Sequence, residues 1–66
     1  MTIDEIKARV ERIKACGGDY EAAHSEEDKL HQDVLRAIRD GECEDPDACA
    51  AEALKTLELD FIRYCA

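Results

Sequence analysis

Two breaks constrain this chain more than anything else in it. Gly17-Gly18 and the stretch from Gly41 to Pro46 divide it into three segments. Glycine takes the left-handed conformation past a helix end freely, so Gly17-Gly18 stops a first helix and Gly41 a second. Thr2 with Glu5 three residues later is a capping box for the first. The second begins near Asp19. The third opens on Asp45-Pro46, an N-cap aspartate followed by a proline whose missing N–H costs nothing at the first helical position.

Apolar spacing within the segments is helical. Ile3, Ile6, Val10 and Ile13 recur at steps of three and four. Tyr20, Ala23, Leu30, Val34, Ala37 and Ile38 form the stripe of the second helix. Ala50, Leu54, Leu57, Phe61 and Cys65 form that of the third, flanked by Ala53 and Tyr64. No apolar–polar alternation runs long enough for a strand. The reading is one all-α domain over residues 1–66, an up-down-up three-helix bundle with helices at about 3–16, 20–40 and 46–64. The Gly17-Gly18 end is its top, and the loop from Gly41 to Asp45 lies at its bottom.

Charge narrows the function classes. Seventeen acids against nine bases give a formal charge of −8. A nucleic-acid binder needs a basic face, and an anionic membrane surface repels such a chain. Hydrophobic residues are 45% of the sequence, too many for a disordered acidic tail. No run approaches the roughly 18 apolar residues of a membrane span, and no signal peptide follows Met1.

The expected core is thin. A chain below roughly 70–80 residues usually adds a disulfide, a metal or a partner subunit. Leu35, Leu59 and Ile62 lie off the centres of their stripes, so they mark the surface of an expected homodimer.

Four cysteines contain no C-x-x-C. The topology puts Cys16 and Cys65 at the top and Cys43 and Cys49 at the bottom, about 25 Å away. If disulfides form, they are Cys16–Cys65 and Cys43–Cys49. A cytosolic chain keeps all four reduced. One zinc site holding all four is excluded by the same distance.

The second helix carries the one anomaly. His24, Glu27 and His31 fall inside the arc of its apolar stripe, so the centre of a buried face is polar for two turns. His24 meets Glu27 and Asp28 at i+3 and i+4, and His31 meets Glu27 at i−4. The first expectation is a satisfied polar cluster of His24, Glu27, Asp28 and His31. The alternative is a zinc site built from Cys16, His24 and Cys65, with Glu27 or His31 as fourth ligand. Acid–base catalysis wants a pocket, which three short helices seldom enclose, so the chain is not read as an enzyme.

Acids crowd two places: Asp19, Glu21, Glu26, Glu27 and Asp28 near the start of the second helix, and Asp40, Glu42, Glu44, Asp45 and Asp47 in the bottom loop. Capping and solubility account for them most simply. The sharper alternative is an acidic surface for a basic protein. The loop does not match a calcium-binding EF-hand.

Asp19-Tyr20-Glu21-Ala22-Ala23-His24-Ser25-Glu26-Glu27-Asp28-Lys29-Leu30-His31, then Val34-Leu35-Arg36-Ala37-Ile38 and Gly41, resembles small phage and prophage proteins of bacteria. So does the ending Leu59-Asp60-Phe61-Ile62-Arg63-Tyr64-Cys65-Ala66, where Tyr64 stands in the place of their usual Trp. The resemblance implies a bacterial cytoplasm, an accessory role, and importance for His24, Glu27, Asp28 and Cys65. The functional expectation is an acidic helical interaction module that binds another protein; the alternative is a metal-binding domain.

Overall fold

The computed structural model describes residues 1–16, 18–59 and 61. Three helices, α1 (Ile3–Ala15), α2 (Tyr20–Arg39) and α3 (Pro46–Leu54), pack against one another as an all-α three-helix bundle. A 3-10 turn, Lys55–Glu58, continues α3. There is no strand among the described residues.

Each start is capped by a side chain. Thr2 Oγ1 accepts from Glu5 N–H at 3.1 Å, Asp19 Oδ1 from Ala22 N–H at 3.1 Å, and Asp45 Oδ1 from Ala48 N–H at 3.2 Å. Pro46 occupies the first turn of α3. Gly41 closes α2 at φ 70°, a conformation that costs a residue with a Cβ. The bottom loop also serves α1. Glu44 Oε1 accepts from Ile3 N–H at 2.7 Å, and Glu44 N–H donates to Met1 O at 3.2 Å. An acid of the cluster thus satisfies one of the donors that every helix start leaves open.

The core gathers Ile6, Val10 and Ile13 from α1, Ala23, Leu30 and Val34 from α2, and Cys49 and Ala53 from α3. The stripes of α1 and α2 lie where periodicity places them. Arg9 Nη1 adds a partly buried tie to Asp33 Oδ2 at 2.9 Å, joining α1 to α2.

The third helix departs from expectation twice. It ends as an α-helix at Leu54, not near residue 64, and the backbone is extended by Leu59. It is also turned by about one residue. Cys49, Ala53 and Thr56 face inward, whereas Leu54 and Leu57 are 55% and 58% exposed. Ala50 and Phe61 are only half-buried. The cause is polar. Thr56 Oγ1 donates to Ala53 O at 3.1 Å, and the His31 ring reaches both. A threonine hydroxyl bonded back to a helical carbonyl competes with the α-helical pattern. The helix tightens at this point. Of the expected dimer surface, Leu35 is 66% exposed, Leu59 is half-buried against the core, and Ile62 lies outside the described residues.

Urea unfolding separates the two possible faces of α3. Ile6→Ala or Leu30→Ala removes a fully buried side chain and is expected to cost about 2–5 kcal/mol. Leu54→Ala and Leu57→Ala are expected to stay within about 0.5 kcal/mol of wild type. Losses above 2 kcal/mol at either leucine would put that side chain back in the core.

Candidate functional site

The polar centre of α2 divides between two neighbours. His24 has a side chain only 13% exposed, with Nε2 3.5 Å from Asp28 Oδ2 one turn on. Glu27 is 3% exposed, on the same face as Ala23 and Leu30, and is not without a partner. His31 turns to the third helix. Its Nε2 lies 3.2 Å from Ala53 O and 3.0 Å from Thr56 Oγ1. The Thr56 hydroxyl has a single proton, directed at Ala53 O. The Nε2–Oγ1 contact therefore makes Nε2–H the donor. Thr56 is fully buried, so these bonds form away from water. Every buried side-chain nitrogen or oxygen among the described residues has a partner.

Thr56 belongs to none of the apolar stripes. The signal that finds it is chemical: a histidine in the centre of a buried face needs a polar group opposite. Thr56, three residues beyond small Ala53 and seven beyond Cys49, is that group.

The zinc constellation does not assemble among the described residues. No three His, Cys, Asp or Glu side chains there converge on a point. Cys16 Sγ donates to Arg12 O at 3.4 Å, and the His31 ring is engaged by α3. Cys65 lies outside the described residues, and with it the expected Cys16–Cys65 pair. Cys16, Cys43 and Cys49 are free thiols. At the bottom of the bundle, Cys43 packs against the core cluster that contains Cys49. The influence of Cys49, followed by burial, raises the Cys43 pKa above the ordinary thiol value.

The outward turn of α3 opens a groove of about 300 Å³ between α2 and α3. Val34, Leu35 and Ile38 form one bank, Ala50, Ala53 and Leu54 the other, and His31 is its one polar lining residue. The bases beside it are engaged by acids: Arg39 with Asp40 at 2.8 Å, Lys55 with Glu52 at 2.8 Å, and Arg36 with Asp33 at 3.5 Å. The Arg39 guanidinium holds the Asp40 carboxyl below its usual range. Sequence reasoning missed the groove because it placed Leu54 in the core.

Comparison of the chain with protein families, curated proteins and solved structures gives no match. No helix among the described residues is long and apolar enough to cross a membrane.

His31→Leu and Thr56→Val are each expected to cost about 1–3 kcal/mol, the range for a broken buried hydrogen bond. In a double-mutant cycle by urea unfolding, the two should couple by about 1 kcal/mol. Additive losses would mean that the contact contributes nothing to stability.

Proposed function

We propose that this chain is a small acidic interaction module that acts by binding another protein, with the α2–α3 groove as its docking face. The observation that carries the reading is the groove itself. It is apolar on both banks and open, with Leu35 and Leu54 more than half exposed at its rims. A contiguous exposed apolar patch on a small polar protein is costly in water, and such patches mark binding surfaces.

Charge selects the occupant. Asp28 precedes Leu35 by seven residues, and Asp47 precedes Leu54 by seven, two turns along the same faces. Because α2 and α3 run in opposite directions, these exposed carboxylates fall toward opposite ends of the groove. With a net charge of −8 and the adjacent bases already paired, the fitting partner is an amphipathic helix. It lays a leucine-rich face in the groove and carries Lys or Arg at both ends. The resemblance to phage and prophage proteins favours an accessory role of this kind in a bacterial cytoplasm. No catalytic step belongs to this reading.

A fluorescein-labelled helical peptide with a leucine face and lysines at both ends is expected to bind saturably. Binding should weaken as salt rises. A peptide with the same face and glutamates at its ends should bind at least about tenfold more weakly, a difference of about 1.4 kcal/mol. Leu35→Lys should abolish binding while leaving the circular dichroism unchanged. Equal binding of the two peptides, or binding indifferent to Leu35→Lys, would overturn the proposal. Sedimentation of the chain alone checks the other occupant, a second copy of itself. A species of about 15 kDa, twice the 7.4 kDa chain, that Leu35→Lys splits would assign the groove to a homodimer instead.

A further inference from the structure

We propose that His31 sets the direction and register of the partner helix in the α2–α3 groove. It does so by accepting a hydrogen bond from an uncharged donor, an amide or a hydroxyl, at one end of the partner's apolar face. This rests on the groove being a docking face, and it adds a requirement that neither the apolar banks nor the charges supply.

Charge alone leaves the partner's direction open. Asp28 stands three residues before His31 on α2, and Asp47 stands three residues before Ala50 on α3. A helix with bases at both ends meets a carboxylate at each end, whichever way it points. The apolar lining is equally indifferent. Every lining side chain apart from His31 is aliphatic, and a leucine face can shift by a turn along such banks at little cost. His31 breaks both symmetries. It lies toward the Asp28 end, seven residues and about 10 Å along α2 from Ile38 at the other.

The ring is fixed in place and has one nitrogen to spare. Nε2 is held at 3.2 Å from Ala53 O and 3.0 Å from Thr56 Oγ1, so the imidazole is not free to swing aside. Nδ1 has no hydrogen bond among the described residues. It is also not sealed from solvent, since every buried side-chain nitrogen there has a partner. With Nε2–H as the donor, a neutral imidazole accepts at its other nitrogen. His31 lines the groove, so a helix laid there strips water from the ring. An unbroken leucine face would leave that acceptor dry and unpaired, which is costly. A donor on the same face restores the bond. An uncharged donor loses less hydration between apolar banks than an ammonium or guanidinium does. One polar pair in an otherwise apolar helical seam is a known way to specify register at some cost in affinity.

The test uses the whole folded chain and three fluorescein-labelled helical peptides with lysines at both ends. It is run at pH 8, above the range in which free imidazole titrates. The first peptide has an unbroken leucine face. The second replaces the first leucine of that face by glutamine, and the third replaces the last. One glutamine peptide is expected to bind about tenfold more tightly than the other, and at least as tightly as the unbroken face. In its complex, the glutamine amide protons should show nuclear Overhauser contacts to the His31 ring proton between the two nitrogens. His31→Leu should erase the preference and make the unbroken face the tightest binder. If that variant loses its helical circular dichroism, the contacts in the wild-type complex decide alone. Equal binding of the two glutamine peptides would overturn the proposal and leave the docking face standing. So would a preference that survives His31→Leu, or a favoured glutamine that makes no contact with the ring. Failure of all three peptides to bind would remove the docking face, and this role of His31 with it.

Discussion

The contact between His31 and the end of α3 decides how the third helix is turned. An imidazole in the middle of a buried face is costly unless something opposite accepts its proton. Ala53 O and Thr56 Oγ1 do so at 3.2 Å and 3.0 Å. To supply them, α3 puts its small residues inward and leaves Leu54 and Leu57 outside. The groove between α2 and α3 follows from this choice. So does the burial of Cys49.

The acidic residues divide by use. Asp19 and Asp45 are N-caps, Glu44 caps α1 from across the bundle, and Asp33 holds Arg9. Asp40 is committed to Arg39 and Asp28 faces His24. Much of the negative charge thus completes helix ends and surface ion pairs. The excess gives −8, a charge that would favour the cationic partner proposed for the groove.

The fold was legible because its signals are local. Thr2, Asp19, Asp45-Pro46 and Gly41 each act within a few residues of themselves, and the structure uses all of them. The α1 stripe was legible for the same reason, since Ile6, Val10 and Ile13 have no competing face. Helix 3 was not, because its two candidate faces differ by one residue and the larger side chains favour the wrong one. Ala50, Leu54 and Leu57 outweigh Cys49, Ala53 and Thr56 in apolar volume, yet the second set meets His31. Period alone cannot weigh a hydrogen bond made between residues 25 positions apart. The polar residues of α2 stand out in the sequence, but nothing in their spacing shows that the His31 ring meets Ala53 and Thr56.

The most direct measurement is solution NMR of the chain with a soluble paramagnetic probe. The Ala53 and Thr56 methyls should be protected from broadening and show nuclear Overhauser contacts to the His31 ring. The Leu54 and Leu57 methyls should broaden strongly. Protected Leu54 and Leu57 methyls in contact with α2, together with a broadened Thr56 methyl, would contradict the turned helix and remove the groove that depends on it.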